Sequence, residues 1–270
     1  LASFFFFAGE YLKQSASGEY SALTTESIRA VLGFKLAQQT IADLKDIRKR
    51  KQRELQTISA GTDLAKIAGD LADADLTIRN QAVENHKKWV DAAQKLGCQA
   101  VRVNTFGNND PVIWAHTVVD GLKKLSEYAA TKNINIICEN HGWLSSDVPK
   151  LMAALDAVNM TNCGTLPDFG NWCIKRTEDK FGGTCVELYP DKYEGVKLML
   201  PKAKGVSAKS YDFDENGNET TIDYAKMLQI VKDAGFSGII GVEYEGERLS
   251  ELEGVIATRE LLFKVVQNLK

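Results

Sequence analysis

No apolar run in this chain approaches the ~18 residues that a membrane-spanning helix needs, so nothing in it reads as a transmembrane segment. LASFFFFAG at the start is too short for an export signal and lacks a basic flank. A signal removed further upstream would leave no trace, so a cytoplasmic chain is expected, and a periplasmic one if such a signal existed. No G-x-G-x-x-G follows an early strand-like segment, which takes away the main support for a dinucleotide-binding fold. A glycine-rich phosphate cradle is also missing, which favours an unphosphorylated ligand. Neither charge sign dominates: 33 Lys and Arg against 36 Asp and Glu leave a net −3. That balance gives no electrostatic reason to expect nucleic acid or an anionic membrane as partner. The one dense basic stretch, IRKRKQR (47–53), reads as a solvated helix end. The five cysteines are odd in number and show no CxxC spacing. A mostly reduced chain is expected, with Cys173 and Cys185 in a loop-like region as the one pair that could bridge.

What is present is alternation. With 270 residues the chain suits one large α/β domain, read here as 1–270. Strand-like runs are LQTISAG (55–61), QAVRVNTFG (99–107), INIICEN (134–140), NCGTLPDFG (162–170), AKGVSAKSY (203–211) and GIIGVEYEG (238–246). Helix-like segments separate them, among them AVENHKKWVDAAQKLG with Gly97 as its stop, and TIDYAKMLQIVKDAG between Asp223 and Gly235. SELEGVIATRELLFKVVQNL closes the chain as a further amphipathic helix. Strand–helix repetition of this kind implies a parallel sheet. Six units favour a (β/α)8 TIM barrel over an open doubly wound sheet. Before residue 55, FFFFAG (4–9) is a candidate strand and the stretch from Thr24 to Gln52 a long helix. That accounts for seven strands and leaves the eighth irregular or missing.

In such a barrel, chemistry sits at the C-terminal strand ends. The polar residues there are Arg102 and Asn104, Glu139 and His141, Asp168, Ser207 and Lys209, and Glu243 and Glu245. Paired residues two apart share a face of their strand. Three carboxylates in one mouth would repel. A divalent cation resolves that conflict, so Glu139, Asp168 and Glu243 are the expected ligands of one ion: Mn²⁺ or Mg²⁺ first, with Zn²⁺ or Co²⁺ as alternatives. Lys209 is placed to stabilise a developing negative oxygen or to neutralise the carboxylates. His141 and Arg102 are expected to orient substrate groups, and Trp143 and Trp172 to stack on a sugar face. DFDENGNETTID (212–223) echoes a calcium loop but ends in Asp223 where Glu is required, and reads as a solvated turn.

The blocks CENHG, LPDFGN, KGVSAKSYDFDENGNET and IGVEYEG resemble the xylose-isomerase-like TIM-barrel superfamily of sugar and sugar phosphate isomerases and epimerases. The resemblance runs from about residue 80 to 265. It implies a metal set of Glu139, Asp168, a histidine and Glu243, with Ser207 standing where the histidine is usual. A serine there could hold a metal-bound water and leave a three-carboxylate site. The resemblance also implies that Glu139 and Glu243 move a proton at the carbon next to a carbonyl, through a metal-stabilised enediolate.

The expected function is therefore metal-dependent isomerisation or epimerisation of a carbohydrate, a sugar or sugar-like keto polyol. A lyase or dehydratase acting on a keto sugar at the same site is the first alternative. A non-catalytic sugar-binding relic without the usual histidine is the second. An abasic-site endonuclease on the related barrel needs additional histidines, and this chain has three in all. A homo-oligomer is compatible with the sequence.

Overall fold

The computed structural model describes residues 69–177 and 183–269. The strand LQTISAG, the candidate strand FFFFAG, the long helix after Thr24 and the basic stretch 47–53 lie outside the described residues. The parallel strands are β1 (Ala100–Val103), β2 (Asn135–Glu139), β3 (Cys163–Leu166), β6 (Val206–Ser210) and β7 (Ile240–Tyr244). A hairpin of β4 (Cys173–Arg176) and β5 (Cys185–Leu188) is inserted after β3. The helices are α1 (Leu76–Leu96), α2 (Pro111–Ala130), α3 (Val148–Val158), α4 (Lys192–Met199), α5 (Tyr224–Asp233) and α6 (Glu251–Val266).

Pairing runs β1–β2–β3 and β6–β7, all parallel. Isolated parallel bridges at Thr165–Ala203 and Asp168–Ser207 join β3 to β6. Leaving the hairpin aside, strand order therefore follows chain order without reversal. An open doubly wound sheet must reverse its order at a switch point, whereas a singly wound barrel does not.

Each helix has a local reason to start and stop. Asp75 caps α1 by accepting from the amides of Thr77 and Ile78, and Gly97 ends it at φ +72°, in the left-handed region. Asp110 caps α2, which carries Pro111 in its first turn. Ser250 and Glu253 form a reciprocal capping box on α6. Asp223 and Gly235 bracket α5 as the spacing predicts.

β1, β2 and β3 are almost wholly buried on both faces, as parallel strands covered by helices must be. Their outward residues pack with Trp114, Leu122 and Leu125 of α2 and Leu151 and Leu155 of α3 in one hydrophobic cluster. Each such aliphatic side chain contributes about 1.5–3 kcal/mol by leaving water. Trp114 is fully buried, and its Nε1 donates to the Thr105 carbonyl at 2.7 Å, which ties α2 to the loop after β1.

Two points that the sequence left open are seen in the structure. Cys173 and Cys185 form a disulfide that closes the β4–β5 hairpin, while Cys98, Cys138 and Cys163 are free and buried. The loop-like stretch read from the sequence is in fact two short antiparallel strands that bring those sulfurs together. Trp172 packs in the core: its ring lies against Gly195 and Tyr189, and its Nε1 donates to the Phe169 carbonyl at 2.7 Å. The calcium-like loop is a turn, as expected. Asp214 accepts from the amides of Asn216 and Asn218, and Glu219 accepts from those of Thr221 and Ile222.

Candidate active site

β2, β3 and β7 each deliver one carboxylate to the same end of the sheet. Glu139 is the last residue of β2, Asp168 follows β3 by two residues, and Glu243 lies near the end of β7. One oxygen from each lies within 4.8 Å of the other two. Among the described residues, no histidine or cysteine joins that group.

The three acids differ in how they are held. Glu139 is buried, and both Nε and Nη2 of Arg102 reach its Oε2. Its Oε1 accepts from Asn171 Nδ2 at 3.0 Å. Asp168 is also buried, with Oδ1 accepting from the amides of Gly170 and Asn171 at 2.8 Å each. Its Oδ2 is buried and has no hydrogen-bond partner. Glu243 is the most accessible, with 21% of its side chain exposed. Ser207 Oγ donates to its Oε2 at 2.9 Å.

Lys209 has no exposed side-chain surface, yet its Nζ lies 2.8 Å from Glu245 and 3.4 Å from Glu243. It also donates to Asn171 Oδ1 at 3.1 Å. Burial alone would push an ammonium toward neutrality. The surrounding carboxylates, Asp168 foremost, overcome that and hold Lys209 firmly protonated. Burial raises Glu139 and, more strongly, Asp168 above the usual carboxylate range; Arg102 opposes this at Glu139, and Lys209 at Asp168. His141 is driven well below its ordinary value, by burial first and then by Arg102, Lys209 and Arg176 nearby, so its ring is neutral.

The charges of these groups leave a deficit that a cation would fill. When Glu139, Asp168, Glu243 and Glu245 are all ionised, they face the two cationic side chains Arg102 and Lys209. Two negative charges remain, which is the charge of one divalent ion. A buried carboxylate oxygen without a donor, as at Asp168 Oδ2, is costly unless something positive meets it. The donor set therefore fits a divalent cation.

The remaining expected residues lie around this cluster. Ser207 and Lys209 share one face of β6, and Arg102 comes from β1. His141 sits two residues past Glu139, with its ring 5.7 Å from that of Phe106. Trp143 packs edge-on to Phe106 at 5.2 Å, with the Arg176 guanidinium 5.9 Å from its ring centre. Trp172 is directed into the core instead. Asn171 is the residue that sequence reasoning missed. It bridges Glu139 to Lys209, and its only signal was its place in LPDFGN beside Asp168.

Residues 16–265 match the model of the xylose isomerase-like TIM barrel family. The chain belongs to that family. Solved structures that resemble this family member include an L-ribulose 3-epimerase, at 13% identity and TM-score 0.58, covering 75% of this chain and 72% of that one. Another is the IOLI protein with a bound zinc atom, at 17% identity and TM-score 0.55, covering 75% of each chain. These likenesses show a shared xylose isomerase-like TIM barrel fold. A curated relative, the C-glycoside deglycosidase alpha subunit of Arthrobacter globiformis, is 35% identical over 54 residues. That match spans 20% of this chain and 15% of the relative.

Proposed function

We propose that this protein is a divalent-metal-dependent isomerase or epimerase of a sugar or sugar-like keto polyol. The observation that carries the reading is the convergence of Glu139, Asp168 and Glu243 within 4.8 Å, with an unpartnered oxygen on Asp168. Those three side chains would hold the ion. When bound, a divalent cation supplies Lewis-acid stabilisation of negative charge on a substrate oxygen. The protein's own groups do the rest. Glu243, accessible and held by Ser207, takes the proton from the carbon beside the carbonyl. Glu139, held by Arg102 and Asn171, is the second acid–base group: once it has taken a proton from solvent it gives that proton to the carbon, and Glu243 then sheds the one it took, so both acids return to their starting state. Lys209 offers a fixed positive charge to the developing oxyanion. The neutral ring of His141, with Arg102, orients substrate hydroxyls, and Ser207 keeps Glu243 in place. The sugar epimerase among the structural relatives supports a carbohydrate substrate.

A lyase is the second reading, and one observation favours it: the 54-residue likeness to a C-glycoside deglycosidase subunit. Both reactions begin with the same proton abstraction. If the resulting anion expels a neighbouring substituent, the outcome is elimination. The test is NMR of a panel of ketoses and keto-glycosides incubated with metal-loaded protein in D₂O. Deuterium incorporated into an intact isomer supports isomerisation, and release of water or aglycone supports the lyase. No exchange with any member of the panel, alongside proven metal loading, would count against both and favour a sugar-binding role.

A further inference from the structure

Ser207 adjoins two of the three carboxylates. A parallel bridge places it beside Asp168, and its register on β6 sets it one strand from Glu243. The side chain is buried. Its hydroxyl donates to Glu243 Oε2 at 2.9 Å. Three carboxylates therefore surround one point, and the fourth nearby donor is also oxygen. Neither imidazole nor thiolate belongs to the group among the described residues.

Donor softness decides which ions such a point favours. Carboxylate, hydroxyl and water suit Mg²⁺ and Mn²⁺. Zn²⁺ gains most from imidazole and thiolate. Asp168 Oδ2, buried and without a donor, independently marks where the ion is needed.

We propose that Ser207 is the residue that tunes the metal preference of this site: by offering oxygen where an imidazole or thiolate would add a softer donor, it lowers the advantage of Zn²⁺ over Mn²⁺ and Mg²⁺. The inference rests on the metal-dependent reading above and assigns its cation class to one side chain.

The test needs no substrate. The full chain is stripped with chelator, dialysed, and titrated with Mn²⁺, Mg²⁺, Zn²⁺ and Co²⁺ by calorimetry. Wild type is compared with Ser207→Cys, nearly isosteric, and with Ser207→His; thermal melts check that each variant folds. Either variant is expected to raise the Zn²⁺-over-Mn²⁺ affinity ratio by at least about tenfold. Ser207→Cys loaded with Co²⁺ is expected to show a sulfur-to-cobalt charge-transfer absorption that wild type lacks. The native background is low, because Cys98, Cys138 and Cys163 are buried and Cys173 and Cys185 are paired. Asp168→Asn, which removes a proposed ligand, is the control for the site. If wild type binds cations through Asp168 but folded variants show neither the band nor a changed ratio, the inference about Ser207 is overturned and the metal reading stands. If wild type binds no divalent ion at millimolar concentration, both are overturned.

Discussion

Asn171 ties Glu139 to Lys209. Its Nδ2 donates to Glu139 Oε1 at 3.0 Å while its Oδ1 accepts from Lys209 Nζ at 3.1 Å. One amide thus fixes a carboxylate and an ammonium whose positions would otherwise reorganise. Partners of metal-ligating side chains typically change affinity about 10–100-fold when removed. Asn171→Ala is expected to weaken divalent-ion binding by that order with little loss of fold. Asn171→Asp should alter binding differently, because it adds a further acid against Glu139 and gives Lys209 one more counter-ion. Calorimetric titration with Mn²⁺ measures both. An unchanged affinity in Asn171→Ala would reduce the bridge to a packing detail.

Arg102 is the counter-ion that makes a buried Glu139 tolerable. Both residues are almost free of solvent, and the guanidinium reaches Glu139 Oε2 through two nitrogens. Breaking a buried pair from one side typically costs about 3–5 kcal/mol, because the survivor is left uncompensated. Arg102→Met should lose stability on that scale in urea unfolding. The double variant Arg102→Met, Glu139→Gln should recover most of it, since no lone charge remains. A single variant as stable as wild type would mean that Lys209 and Asn171 already balance Glu139 alone.

The hairpin after β3 depends on its covalent clasp. Cys173 and Cys185 are 12 positions apart. Closing a loop of about this length restricts the unfolded chain by roughly 3 kcal/mol. The variant with serine at both positions should therefore unfold at lower urea, by up to about that amount. Reductant should shift wild type in the same direction and leave the double variant where it is. Two midpoints that coincide under oxidising conditions would show that the clasp adds nothing.

The parts that the sequence made legible share one physical property. Glu139, Asp168 and Glu243 each end or follow an apolar run too short for a helix and flanked by turn residues, so burial and position could be read together. Ser207 and Lys209 followed from the two-residue repeat of a strand. Asn171 did not, because its position comes from a turn. Asp168 Oδ1 accepts from the amides of Gly170 and Asn171, and that tight return throws Asn171 back over the acids. Periodicity carries no information about such a return. β4 and β5 were missed for a related reason: four residues each, with charged residues among them, give no alternation long enough to read. Trp172 shows the limit of reading a ring from its neighbours in sequence. It lies four residues past a site acid yet turns away to fill space over Gly195, where a Cβ would meet the indole at 2.5 Å.

His86 makes the stability of the outer helical layer sensitive to acid. It is buried in α1, and its Nδ1 lies 2.7 Å from the Ala82 carbonyl, which can only accept, so that nitrogen carries the proton of the neutral ring. Burial lowers its pKa below the ordinary 6.5, against a smaller opposing effect of the Ala82 carbonyl. The folded form therefore binds a proton less readily than the unfolded form. By linkage, the stability that this ring contributes is complete above pH 6.5 and is lost as pH falls below it. One group can contribute a slope of at most about 1.4 kcal/mol per pH unit. Glu139 and Asp168, whose raised pKa values act in the opposite sense, are common to both proteins, so the urea midpoint of wild type should lose more than that of His86→Gln as pH is lowered from 7, and the difference is the share of His86. His141, also depressed, acts in the same direction and would retain its own share in that variant. Parallel pH profiles for wild type and His86→Gln would show that the ring accepts its second proton without cost to the fold.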